Sequence, residues 1–339
     1  MDGEPMADRT GQQTPGPVLS FGQRVAGALN PVHWYRKDPA LWRESGTAYL
    51  YLLPALIILG IFVFYPFFSA FYISLFKWGI LPPRPYIGFA NYSYIFNDKY
   101  FWRALWHTFY YVIITVPVTL FLAILVATLL NKGLRFLSFA RTSFFLSYIS
   151  PIVAIAMVWR WMYNADYGLI NYLLSLLNKL PFVHIDPIAW LNDPRYSIPA
   201  LIILSVWHYV GYHAIILLAG MQNIEQQYYD AAKVDGASGF QTWLHVTVPL
   251  LTPQLFFVLI MSLIGSFKVF TEVITLFNGP GPLRSAETIV YYILRMSGRI
   301  DSATMHLGRA AAGSVILFGI IFVLTIFQMT VTQRRVHYQ

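Results

Sequence analysis

The chain has 339 residues, 57% of them hydrophobic and 11% charged, with a formal net charge of +8. A soluble domain carries about 25% charged residues, so an ordinary water-facing surface is excluded and a polytopic membrane protein is the natural reading. The basic residues are scattered, which suits contact with anionic lipid head groups and not nucleic acid; with no cysteine there is no disulfide, thiolate metal site or cysteine nucleophile.

The first 46 residues begin "MDGEPMADRTGQQTPGPVLSFG" and contain no apolar core of a cleavable signal peptide. They read as a disordered tail leading into an interfacial stretch around "NPVHWYRKDPALWRES". A spanning helix needs roughly 20 mostly apolar residues. That template predicts about six spans: Thr47 to Phe76, Leu105 to Leu130, Thr142 to Met162, Pro199 to Met221, Thr252 to Leu276 and Arg309 to Val331. The predicted fold class is therefore an all-α polytopic membrane protein, with a tail at 1–46 and a transmembrane domain at 47–339. Internal Pro54, Pro66, Pro117 and Pro151 are tolerable where neighbouring helices satisfy the freed carbonyls. An even number of spans puts both termini on one side. Lys132, Arg135 and Arg141 crowd the short linker between spans two and three, and Arg334 and Arg335 follow the last span, which favours termini and linker inside. Arg84, Lys99, Arg103, Arg295 and Arg299 on the other side dilute that bias.

Between spans four and five lies "YYDAAKVDGASGFQTWLHVTVPLLTP", residues 228–253. Ile224, Tyr228, Ala231 and Asp235 recur at helical spacing before Gly236, and Phe240, Trp243, Leu244 and Thr247 do so after it. Gly236 permits a positive φ, Ala231 and Ala232 remove bulk, and Pro249 and Pro253 end the helix and start the next span. Two short helices at a bend along the membrane surface follow, with an apolar face in need of a partner. Lipid alone justifies amphipathicity, but not the small-residue pair, the acidic residues or the bend.

This segment resembles the cytoplasmic loop of binding-protein-dependent ABC transporter permeases, with its Glu-Ala-Ala, Asp-Gly-Ala and Leu-Pro elements. The matches are Asp230-Ala231-Ala232, Asp235-Gly236-Ala237-Ser238, Trp243, Val246 and Pro249-Leu250; Asp230 replaces the usual Glu, Val248 the usual Leu, and Glu225 a frequent Pro. "IGFANYSYIF", "VWRWMYNADYGLINYLL" and "FKVFTEVITLFNGPGP" resemble further family elements and point to the carbohydrate branch, although Thr271 and Phe277 depart from it. The resemblance implies a type I importer permease, with a coupling loop at 222–251 that docks on an ATP-binding subunit. It also implies two such ATPase subunits, a second similar permease, an exported solute-binding protein and a sugar substrate. The setting it implies is the cytoplasmic membrane of a bacterium or archaeon, with both termini cytoplasmic. Asp230, Ala231, Ala232, Asp235, Gly236 and Ala237 are the candidate coupling residues, with Phe240 and Trp243 as apolar anchors and Pro249 closing the segment.

No Gly-x-x-x-x-Gly-Lys-[Ser/Thr] loop occurs, so ATP and Mg belong to a separate chain, and the permease is not itself an enzyme. No His-Glu-x-x-His or Gly-x-Ser-x-Gly occurs either, and His208 and His213 read as packed or pore-facing. An ion- or proton-coupled carrier would need buried carboxylates and repeated halves; Glu272 is the main carboxylate within a span, and no repeat is visible. An intramembrane enzyme or scaffold has no reactive cluster to support it. Sugar sites combine aromatic faces with polar groups, so the candidate path residues are Trp207, Tyr209, Tyr212 and His213 on span four and Phe267, Lys268, Phe270 and Glu272 on span five. Lys268 and Glu272 are four apart, which lets them pair on one helix face, or snorkel to water at the span's end.

Overall fold

The computed structural model describes residues 39–132, 137–180, 184–300 and 305–333. The tail before Pro39, and with it Arg135, Arg334 and Arg335, lies outside the described residues. The chain divides into two compact units, residues 1–67 and 68–339. In the first, the helix Pro39–Leu59 carries Pro54 inside it and runs into a π-helical turn, Gly60–Phe64. Pro66 follows that turn at once: a residue without an N–H needs no acceptor one α-turn back, and the widened turn accommodates its ring.

The all-α expectation holds. Among the described residues four helices are long and apolar enough to cross a membrane: Thr47–Ser74, Lys99–Leu130, Pro194–Gln222 and Leu307–Thr330. Two bent pairs, Ser138–Ile149 with Ile152–Met162 and Gly239–Leu250 with Thr252–Phe267, bring the number to six when each pair is counted as one span. Among the described residues there is no strand, only an isolated antiparallel bridge between Phe76 and Tyr86.

The boundaries differ from the apolar runs wherever a capping residue acts. Span two starts at Lys99 because the Asp98 carboxylate accepts from the Tyr100 N–H at 2.9 Å. Span four starts at Pro194 because Asp193 does the same for Arg195 at 2.9 Å. Pro117 is absorbed inside a continuous helix. Pro151 is not: the two halves of span three meet at 97° around Ser150 and Pro151. The residue before a proline is pushed out of the α region, and the freed Ser150 lets the chain turn. Span five is also shorter than its apolar run. Its helix ends at Phe267, Phe270 sits at φ −151°, and a separate helix Thr271–Phe277 resumes.

Span two packs most extensively against span four, and through fully buried small residues, Ala123, Ala127 and Ala214. Without a hydrophobic drive between helices in lipid, close backbone approach supplies the attraction. At Gly211 a Cβ would lie 1.9 Å from the Phe144 carbonyl oxygen, so only glycine lets the first half of span three cross span four there. Along spans two and four, one apolar cluster includes Val112, Val116, Ile202, Val206 and Val210. A second, nearer the 222–251 segment, includes Ala127, Leu130, Leu217, Met221, Leu251 and Val258. Where the first gives way to the second, the same helices carry Thr115, Thr119, Tyr209, Tyr212 and His213.

Candidate functional site

The 222–251 segment is built as two helices about one glycine. The helix Gln226–Val234 ends at Asp235, and Gly236 follows with φ +73°. The Gly236 N–H donates to the Lys233 carbonyl at 3.1 Å and the Ala237 N–H to the Ala232 carbonyl at 2.9 Å. Those two bonds make a Schellman motif, which needs a left-handed residue where Gly236 stands. The next helix starts two residues on with a capping box: the Gln241 N–H donates to Ser238 Oγ at 3.3 Å, and the Ser238 N–H to Gln241 Oε1 at 2.8 Å. It runs through a π-turn, Trp243–Thr247, to Leu250 and then bends by 66° into Thr252–Phe267. The bend falls between Pro249 and Pro253, as their positions predict.

The surface of this segment is sorted differently from the sequence expectation. Ala232 is buried and anchors the cap, whereas Ala231 faces out, so the two alanines do not form one contact face. Trp243 turns inward; its indole N–H donates to Thr128 Oγ1 on span two at 2.9 Å. Phe240 stacks on Trp243 with ring centroids 6.0 Å apart and stays 69% exposed. Val234, at 88%, and Leu244 complete an exposed apolar patch flanking Gly236 and Asp235. Asp230 is exposed and held by the Lys233 ammonium at 3.0 Å and the Gln226 amide at 3.1 Å, which keep its carboxyl below the usual range. A side chain added at Gly236 would meet nothing within 4 Å among the described residues. The bend is thus fixed by backbone conformation, with open space on its outer side.

The second feature is a cavity of about 270 Å³ where spans two, three, four and five converge. Thr115 and Thr119 supply one wall, Tyr148 a second, Tyr209, Tyr212 and His213 a third, and Ser262 and Ser266 a fourth. Tyr148 and Tyr212 stack with centroids 4.1 Å apart. The His213 Nε2 lies 3.2 Å from Ser262 Oγ, while its Nδ1 and the Oγ1 atoms of Thr115 and Thr119 are buried without a hydrogen-bond partner among the described residues. A buried polar atom left unmatched costs about 1–3 kcal/mol. Just outside the cavity, the Tyr209 hydroxyl donates to Glu272 Oε1 at 3.1 Å, and Glu272 is buried.

Of the eight path candidates read from the sequence, Tyr209, Tyr212 and His213 line this cavity and Glu272 braces one of them. Trp207 does not: two residues from Tyr209, it lies about 200° round the helix and packs edge-on against Trp159. Phe267 is fully buried against Phe109 of span two, with centroids 5.3 Å apart. Phe270 packs beside Tyr291. Lys268 is exposed and makes no ion pair with Glu272, because the helix breaks between them. Conversely, Thr115, Thr119, Tyr148, Ser262 and Ser266 were not singled out in the sequence. They are single hydroxyls in long apolar runs, and only the crossing at Gly211 and the break at Ser150 bring them together. Among the described residues no three His, Asp or Glu come together as a metal site.

The helix order and arrangement resemble a solved bacterial ABC transporter involved in the import of the acidic polysaccharide alginate. The TM-score is 0.75 at 24% identity, over 87% of this chain and 99% of that one, a likeness of fold. The lactose transport system permease protein LacF of Rhizobium radiobacter is 30% identical, over 85% of this chain and 95% of its own. The trehalose/maltose transport system permease protein MalF of Thermococcus litoralis is 33% identical, over 71% of this chain and 80% of its own. Residues 86–337 match the family described as binding-protein-dependent transport system inner membrane component. The chain belongs to that family: it is a multi-pass membrane permease subunit of an ABC importer that works with a solute-binding protein.

Proposed function

We propose that this permease forms half of the translocation path for a sugar or sugar-like solute, with the Thr115–Thr119–Tyr148–Tyr212–His213 cavity as the part of that path it contributes. The observation that carries the reading is the cavity's chemistry. Stacked tyrosine faces suit the apolar faces of a sugar ring, and the lining's three unmatched buried atoms, Thr115 Oγ1, Thr119 Oγ1 and His213 Nδ1, suit its hydroxyl groups. The lactose and trehalose/maltose permeases among its relatives support the same substrate class.

The exposed apolar patch at Val234, Phe240 and Leu244 around the fixed bend at Gly236 is the docking face for a separate ATP-binding subunit. The inward ties, Trp243 to Thr128 and the buried Leu251, carry a displacement of that face to spans two and four. ATP and Mg are bound by that partner; a second similar permease and two ATPase copies complete the complex, with both termini and the 222–251 segment in the cytoplasm. The membership in the importer family leaves the ion-coupled carrier without support. Glu272, the carboxylate such a carrier would use, is engaged by Tyr209.

The deciding experiment reconstitutes the complex with its binding protein and screens which solutes stimulate ATP hydrolysis. A neutral or weakly charged carbohydrate should do so, and Thr119→Val or His213→Phe should raise the solute concentration needed. Stimulation by amino acids or ions alone, or uptake driven by a pH gradient without ATP, would overturn the reading.

A further inference from the structure

A second pocket, unrelated to the path, lies on the face opposite the 222–251 segment. Residues 75–98 connect spans one and two, and 305–306 precede span six; three crossings separate the first of these connections from the 222–251 segment, and one more, span five, leads from that segment to the second. The segment after Ser74 folds back on itself, the Lys77 N–H donating to the Pro85 carbonyl at 3.0 Å and the Ile87 N–H to the Leu75 carbonyl at 2.9 Å. Buried Asn91 clamps the turn by donating to the Ser74 and Phe76 carbonyls at 2.7 and 2.9 Å. The first residues of span six dock against it, with the Gly308 N–H on the Trp78 carbonyl at 3.3 Å.

These contacts enclose a pocket of about 460 Å³, with Lys77, His306 and Arg309 among its lining and, among the described residues, no carboxylate. Among the described residues neither Lys77 nor Arg309 makes an ion pair. The Tyr94 ring covers one face of the Arg309 guanidinium at 3.6 Å, which leaves the N–H groups in its plane free to meet an anion. Partial burial first, then the charges of Arg309 and Lys77, hold His306 below the ordinary histidine range. Beside it, Ile80, Leu81 and Phe89 are exposed, Leu81 and Phe89 by about three-quarters. Unpaired cations beside an exposed apolar strip at the ends of two spans match the depth at which a bilayer changes from acyl chain to phosphate.

We propose that this pocket holds the phosphate of an anionic phospholipid head group. Lys77 and the in-plane N–H groups of Arg309 meet the phosphate oxygens, neutral His306 donates one hydrogen bond, and the Ile80, Leu81 and Phe89 strip lies along the acyl chains. The site fastens the connection between spans one and two to the membrane surface.

The test uses the full chain assembled with its partner subunits in nanodiscs of phosphatidylcholine mixed with phosphatidylglycerol, with retained lipid measured by mass spectrometry after detergent extraction. Phosphatidylglycerol should be retained in preference to phosphatidylcholine. Two cations at about 1 kcal/mol each set the expected drop for Lys77→Gln with Arg309→Gln at about thirtyfold, and Lys77→Arg with Arg309→Lys should keep the preference. Should the neutral variant fail to assemble, a photoactivatable phosphatidylglycerol on the unaltered complex must label peptides from 77–94 or 305–309. No preference in the unaltered complex, preference unchanged in the neutral variant, or labelling only elsewhere each overturns the proposal. Saturable binding of inorganic phosphate in phosphatidylcholine-only discs, without phosphatidylglycerol preference, would assign the pocket to a free anion and overturn the lipid source. Loss of binding-protein docking in the neutral variant with lipid retention intact would assign it to that protein.

Discussion

Gly236→Val isolates what the bend contributes. Glycine holds φ +73° there, and an L-residue in that region costs about 1–2 kcal/mol, with a β-branched side chain at the upper end. Nothing among the described residues lies within 4 Å of the added Cβ, so the strain there comes from the backbone. Relief of that strain would break the two bonds of the helix cap, Gly236 to Lys233 and Ala237 to Ala232. A cost of about 1–2 kcal/mol lowers the population of the bent form about fivefold to thirtyfold relative to its alternatives. Gly236→Asn is the control, since asparagine tolerates the left-handed region. The assay is solute-stimulated ATP hydrolysis in the reconstituted complex, with insertion checked separately. Asn should stay near the unaltered protein and Val should insert but lose most of the stimulation. Equal stimulation by Val refutes the argument from backbone conformation. Equal loss by both shows that bulk against the partner, and not φ, is what matters.

Trp243→Phe removes the indole donor to Thr128 and Thr128→Val removes its acceptor; each should cost about 0.5–1.5 kcal/mol, and a double-mutant cycle on thermal stability should show them to be non-additive. Additive effects would mean the bond does not form. Glu272→Gln keeps an acceptor for the Tyr209 hydroxyl and loses only the charge-assisted part, about 1 kcal/mol, so transport should fall no more than several-fold and remain ATP-dependent in vesicle uptake. Ser238→Ala removes the capping box and should lower coupling by about 1 kcal/mol, a several-fold drop in stimulated turnover, without altering solute preference. The isolated chain, lacking a phosphate-binding loop, should show no ATP turnover of its own.

The segment at 228–253 was legible because its signals are local. A glycine between two helical periods, and prolines at 249 and 253, act on the backbone within a few residues of where they stand. The direction of the side chains was not legible there. Ala231 and Ala232 are adjacent in the sequence, yet the first is exposed and the second buried, and Trp243, amphipathic by any count, turns to Thr128, which lies 115 residues earlier.

By itself the sequence determined the solvent, the all-α class and the bend: 57% apolar residues leave no ordinary water-facing surface, runs of about 20 mark the spans, and Gly236 with Pro249 and Pro253 sets the turns of the 228–253 segment. The tertiary structure alone decided what the spans enclose. Whether Pro117 is absorbed and Pro151 breaks its helix, whether Lys268 and Glu272 share a helix, and which hydroxyls meet His213 depend on neighbours far along the chain. The reason is that apolar periodicity in lipid says little about facing. Lipid and core are equally apolar, so small residues at close crossings such as Gly211, and not the hydrophobic pattern, choose the face each helix turns inward.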